Sequence, residues 1–91
     1  MADEYDVNSK RVTATGAVAI GRARIRMVVV TVSGAGRLTM TSGDGGATKL
    51  DLDFGAAGTY DIFIPGTGVL FEADPYIATA TSVSAVTVFW S

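Results

Sequence analysis

Residues 49–64 set the period of the whole chain: they read Lys49-Leu50-Asp51-Leu52-Asp53-Phe54, then Gly55-Ala56-Ala57-Gly58, then Thr59-Tyr60-Asp61-Ile62-Phe63-Ile64. In the first and last of these segments the even positions are apolar and the odd positions are mostly polar, which is the period of a strand with one buried face. The glycines between them supply the positive φ that a tight turn needs. The stretch therefore predicts two half-buried strands joined by a turn, with Phe63 left on the outer face.

The same alternation and the same Gly-rich punctuation continue in both directions, and no segment has a helical period. Further turns are predicted at 33–36, 42–46, 65–68 and 74–75 and near Ser82. Their spacing is typical of an all-β fold, so we expect a compact antiparallel sandwich or barrel, jelly-roll-like, of about seven to eight short strands. Residues 10–91 are predicted to form this single β domain, preceded by a flexible N-terminal arm over residues 1–9.

Phe63 and Leu70, the latter beside Glu72, are predicted to lie outside the core, where they favour a contact surface. Phe89 lies in a C-terminal stretch that is apolar on both faces, which predicts a central strand or one covered by another subunit. The segment 22–32 also changes parity: its odd positions up to Met27 are predicted to face inward at first, and from Val28 to Val32 the even positions are apolar too. Either this strand becomes buried on both faces or a bulge re-aims it.

The composition indicates a binding protein rather than an enzyme. Of the 91 residues, 48% are hydrophobic and 18% are charged, which is more apolar material than so small a domain easily encloses. We therefore expect part of the surface to be buried against another copy or another protein, so that the chain forms a homo-oligomer. Cys and His are absent, which removes disulfides, thiolate metal sites and the commonest general base. We expect no catalytic residue, no metal and no cofactor.

Motifs of known chemistry are not recognisable in the chain. Asp51 and Asp53 share a face, but no neighbour in the sequence would raise the pKa of one of them selectively, as glycosidase chemistry requires. The loop 42–46 lacks the Lys-Ser/Thr of a phosphate loop and the further acids of a calcium loop. The acidic opening and the short apolar run at 27–32 predict neither a secretory leader nor a membrane span.

Charge is segregated along the sequence behind a net charge of −2. Residues 10–49 hold all seven cations and one acid, whereas the segments on either side are acidic. Arg22, Arg24 and Arg26 fall on one strand face, and Asp51 and Asp53 have the same period. The arginines would form a ladder with these aspartates inside the chain, contact a neighbouring subunit or partner, or hold a phosphate or sugar. The net negative charge argues against nucleic acid.

A carbohydrate- or receptor-binding module is the alternative from a different functional class. Small β domains bind sugars with an aromatic platform and a few polar groups, for which Tyr60, Tyr76 and Trp90 are the candidates. An exposed aromatic strip beside polar groups would favour that function. A shared apolar patch that includes Phe63, Leu70 and Phe89 would favour assembly.

Nearly the whole chain resembles small virion structural proteins of tailed bacteriophages, especially marine ones. The resemblance is carried by Arg11-Val12-Thr13-Ala14-Thr15-Gly16-Ala17-Val18, Gly21-Arg22-Ala23-Arg24-Ile25-Arg26, Thr59-Tyr60-Asp61-Ile62-Phe63-Ile64-Pro65-Gly66-Thr67-Gly68-Val69-Leu70-Phe71 and Ser82-Val83-Ser84-Ala85-Val86-Thr87-Val88-Phe89. These are strand and turn residues, so the resemblance transfers no active site.

The resemblance implies a β-rich capsid decoration (cement) protein, commonly a homotrimer, that stabilises the shell by packing against the major capsid protein and sister subunits. Its location would be the capsid surface of the virion, after synthesis in the bacterial host cytoplasm. A tail, head–tail junction or fibre-associated structural protein is the alternative within the virion. The interaction residues expected from the sequence are Arg22, Arg24, Arg26, Asp51, Asp53, Phe63, Leu70 and Phe89.

Overall fold

The computed structural model describes residues 8–91, and within that range the chain is all-β, with seven strands and no helix. The strands are β1 (Asn8–Val12), β2 (Gly16–Ala17), β3 (Ala23–Ser42), β4 (Thr48–Phe54), β5 (Gly58–Phe63), β6 (Val69–Phe71) and β7 (Pro75–Trp90). The predicted half-buried strands of residues 49–64 are confirmed as β4 and β5, with the turn between them at the glycines. The part of the sequence with the clearest alternation thus folds as predicted.

All seven strands belong to one antiparallel sheet, and β3 and β7 pair at its centre. One edge of β7 carries β1 and β2, while the far edge of β3 carries β6, β5 and β4 in turn. The predicted all-β, compact and antiparallel character is confirmed. The seven strands form one sheet that does not close, where a sandwich or barrel was expected.

The two central strands are much longer than predicted, with 20 residues in β3 and 16 in β7. Turns were expected at 33–36 and near Ser82, and both predictions are wrong because each strand continues through them. The β3–β7 register breaks between Val32 and Arg37, opposite Ser82, whose φ is 57°. These small residues therefore bend two continuous strands instead of reversing the chain.

The core lies on one side of this bent sheet and draws on both halves of β3. Its buried members are Val18, Ile25, Val28, Val30, Val32, Leu38, Met40, Phe54, Phe71, Ile77, Val86 and Val88. The parity change in β3 has a local cause, because the register against β7 shifts between Ile25 and Met27. Of the two explanations considered, the bulge is confirmed: it turns the buried set from odd to even positions.

The predicted arm boundary after Ser9 falls inside β1, which begins at Asn8. Asn8 pairs with Trp90 and Ser9 with Phe89, so these two residues extend the edge of the sheet. The remainder of the predicted arm, residues 1–7, lies outside the described residues.

Candidate interaction surface

A row of apolar side chains crosses the sheet on the side opposite the core. Phe63 of β5 pairs with Met27 of β3, and Met27 pairs in turn with Phe89 of β7. Residues directly opposite in an antiparallel sheet point to the same side, with neighbouring strands about 4.8 Å apart. The bulge after Ile25 places Met27 on this side, away from the buried Val28.

A second row lies two residues further along the strands. Asp61 pairs with Val29, Val29 with Thr87, and Thr87 with Arg11. We call the two rows together the outer face: Phe63, Met27, Phe89 and Ser9 in the first, and Asp61, Val29, Thr87 and Arg11 in the second. The third row along, in which the Thr31 and Thr59 hydroxyls lie 3.1 Å apart, borders it with polar groups.

The outer face leaves large apolar groups open to solvent. Phe63 is 73% exposed, and Met27, Val29 and Phe89 are each half-buried. One exposed apolar side chain is ordinary, but Phe63 continues into a row of partly exposed apolar side chains, and such a row forms a surface suited to contact with another protein. Ile20 is more exposed still, but it lies alone in the segment between β2 and β3.

Leu70 lies beyond the first row, where it pairs with Arg24. Leu70 and Arg24 border a shallow depression of about 340 Å³ that is also lined by Arg22 and Ser91. Arg24 donates a hydrogen bond of 3.5 Å to the Thr67 hydroxyl. The structure thus places Phe63 and Phe89 in the first row, with Leu70 at its end next to the arginines.

The arginine row does not form the ladder with Asp51 and Asp53 that was one of its predicted contacts. These aspartates lie on β4, which pairs with the far half of β3. Arg26 instead donates to the Ser91 hydroxyl at 2.9 Å. Within residues 8–91, no carboxylate lies within ion-pair distance of the three arginines. The expectation of an internal ladder is therefore wrong.

Asp51 and Asp53 face a different arginine, Arg37. Arg37 Nε donates to Asp51 Oδ1 at 2.9 Å, and Arg37 Nη2 donates to Asp51 Oδ2 at 2.7 Å. Asp53 Oδ1 lies 3.8 Å from Arg37 Nε. The hydrogen bonds from Arg37, together with its charge, lower the pKa of Asp51. The same hydrogen bonds, together with the negative charges of Asp51 and Asp53, raise the pKa of Arg37. This cluster fixes the β3–β4 register and lies apart from the outer face.

Met27, Val29, Asp61 and Arg11 belong to the outer face but were not named from the sequence. The sequence predicted that Met27 faces inward with Ala23 and Ile25, and it left the side of Val29 open. The prediction for Met27 is wrong, because the bulge after Ile25 turns this residue outward. The parity change was the signal that could have located the bulge. Asp61 and Arg11 are separated by 50 positions in the sequence, and only the strand order brings them into one row.

The aromatic residues proposed for sugar binding are engaged in packing. Tyr60 stacks on Phe54 with ring centroids 4.8 Å apart and donates its hydroxyl to Ala56 O at 2.8 Å. Trp90 packs against the core, and Tyr76 is half-buried. Phe63, the largely exposed aromatic side chain of residues 8–91, carries no polar group. Within residues 8–91, these side chains do not form the exposed polar aromatic platform that a sugar site uses.

Over the part of the chain that the structure describes, no group of three or more acidic side chains is placed to hold a metal ion. Residues 8–91 also include no helix long and apolar enough to cross a membrane. The chain matches no protein-family model, no curated protein and no solved structure.

Proposed function

We propose that this protein is a structural component of a tailed-bacteriophage virion and acts as a capsid decoration protein, by binding and packing rather than by catalysis. The observation that carries the proposal is the open row Phe63–Met27–Phe89, an apolar surface on an otherwise well-packed small sheet. The resemblance of the sequence to phage virion proteins indicates the virion as the assembly in which this surface is used. Repeated over a shell, weak contacts of each copy add up through multivalency.

The proposal assigns a different contact to each of two surfaces. The outer face contacts a sister subunit, and the homotrimer that the family resemblance implies would form through other surfaces of the chain. The arginine row Arg22, Arg24 and Arg26 contacts carboxylates of the major capsid protein, since arginine binds carboxylates in bidentate geometry. The row suits this contact because the side chains of Arg24 and Arg26 hydrogen-bond only hydroxyl groups within residues 8–91.

Mass spectrometry of purified virions of the phage that encodes the chain tests the location. A copy number comparable to that of the major capsid protein supports decoration of the shell. A few copies per particle would instead support the tail, head–tail junction or fibre-associated role. Virions without the chain would contradict both.

The arginine contact is tested with shells assembled from the major capsid protein alone. We expect Arg24→Glu to weaken binding to these shells, and to do so more at low salt than at high salt, because ions screen exposed charges beyond about 10 Å at 0.1 M. The matched control is Lys10→Glu, which makes the same reversal on the core side of β1, opposite Val88. Equal binding by native protein and Arg24→Glu at every salt concentration would contradict this assignment.

A further inference from the structure

We infer that two copies of this chain pair face to face through the outer face, around a two-fold axis that runs parallel to the strands between β3 and β7. The inference rests on the proposed use of this face for contacts between subunits. It does not depend on the location of the protein in a virion. It names the occupant of the face as a second, identical outer face.

The second row carries opposite charges at its two ends. Asp61 lies on β5 and Arg11 on β1, with Val29 and Thr87 between them. Both charged side chains are exposed, and the three strand spacings put their backbones roughly 14 Å apart. Asp61 and Arg11 each contact no oppositely charged side chain within residues 8–91.

A two-fold axis along the strands exchanges the two ends of every row while keeping the rows level with each other. Asp61 of one copy then faces Arg11 of the other, and the reverse pair forms at the opposite end. A two-fold axis across the strands would instead leave each charge on its own side of the contact, with Asp61 near Asp61. Like charges across an interface are costly, so the charges of the second row favour the first arrangement.

The first row of the outer face also fits the two-fold axis along the strands. Met27 of one copy meets Phe89 of the other at the centre, a contact that sulfur and aromatic rings favour. The exposed Phe63 ring lies over Ser9, a small residue that leaves room for it. Sheets that pack in aligned fashion are about 10 Å apart and cross at about 30°, and these side chains fill such a gap. An unrelated partner would have to reproduce both the size pattern and the reversed charge pattern.

Light scattering on purified chain, with charge-reversal variants, tests this pairing. We expect the native protein to have an even number of chains: two if the outer face is the one contact, or six if the trimer implied by the family resemblance also forms. Asp61→Arg alone and Arg11→Asp alone should each weaken the face-to-face contact by about tenfold or more, because each places like charges at both ends.

The decisive measurement is made on a mixture of the two single variants. The second row of the Asp61→Arg chain is basic at both ends, and that of the Arg11→Asp chain is acidic at both ends. In an equimolar mixture the basic ends of one chain meet the acidic ends of the other, so pairing should return to the native level in mixed particles. The double variant Asp61→Arg/Arg11→Asp should also pair, since its ends are again opposite. Lys10→Glu, a reversal on the other side of β1, should keep the native mass.

Three results would overturn the pairing: a native mass of one or three chains, single variants that keep the native mass, or a mixture that fails to recover it. Circular dichroism of each variant shows whether the sheet is intact, and both altered side chains are exposed, so folding should survive. The proposed virion role is judged separately, by particle composition and shell binding.

Discussion

The hydrogen bonds between Arg37 and Asp51 make a pH-dependent contribution to stability. Arg37 donates to both carboxylate oxygens, and this lowers the pKa of Asp51 in the folded chain. The folded state therefore binds the proton less tightly than the unfolded state, in which the pKa is about 3.9. The stabilisation is complete above that value and is lost as the pH falls through the folded pKa.

Asp51→Asn should accordingly lower the midpoint of urea unfolding at neutral pH and should make little difference in acid, at about pH 2.5. Both side chains are about half exposed, so the expected effect is small. Asp53→Asn is the matched control, because Asp53 lies 3.8 Å from Arg37 without a hydrogen bond and should matter less. An Asp51→Asn effect of equal size at both pH values would show that the charge is not its origin.

The bend shared by β3 and β7 depends on glycine at position 36 but not at position 34. A Cβ at Gly36 would overlap the carbonyl oxygen of Thr81 on β7, whereas a Cβ at Gly34 would meet no atom within 4 Å. We expect Gly36→Ala to reduce the free energy of unfolding by about 1–3 kcal/mol, as overpacking against backbone does.

Gly34→Ala should be close to neutral, because neither a clash nor a positive φ opposes the added methyl group. Urea unfolding of the two variants gives the comparison directly. If both alanines were equally tolerated, the strands would approach each other less closely at the bend than the structure indicates.

The strands themselves could be predicted where one face is buried along their whole length. Residues 49–54 and 59–64 alternate, with Phe63 as the exception, and β4 and β5 follow from that pattern. The bend could not be separated from a turn, because Ser33-Gly34-Ala35-Gly36 has the composition of both. What distinguishes them is the partner strand β7, which bends at the same place opposite Ser82.

For the candidate surface, the sequence could predict on which side of the sheet a side chain lies, but not which other side chains lie next to it. Alternation alone placed Phe63 and Leu70 outside the core, whereas the side of Phe89 stayed open because its strand is apolar on both faces. The partner of each charge depends on strand order: the row Arg22, Arg24 and Arg26 lies at the opposite end of β3 from β4, so Asp51 meets Arg37 instead. Local pattern fixes the face of a residue, whereas topology fixes its neighbours.

The order of strands in the whole molecule also determines how it folds. Every other strand pairs only with β3 or β7, so we expect the pairing of these two strands to form the folding nucleus of the sheet. Their pairing joins residues 23–42 to residues 75–90, which is a non-local contact with a large loop-closure cost. β-rich domains with such pairing fold in roughly milliseconds to seconds.

Refolding followed by the fluorescence of Trp90, the one tryptophan, should therefore fall in this range. Val86→Ala alters a buried residue of β7 that pairs with Val30 of β3, so we expect it to slow refolding, with a φ-value of about 0.5 or more. Leu52→Ala on the edge strand β4 should act mainly by faster unfolding, with a φ-value of about 0–0.3. The reverse order of the two φ-values would mean that the β3–β4 edge, and not the central pair, forms first.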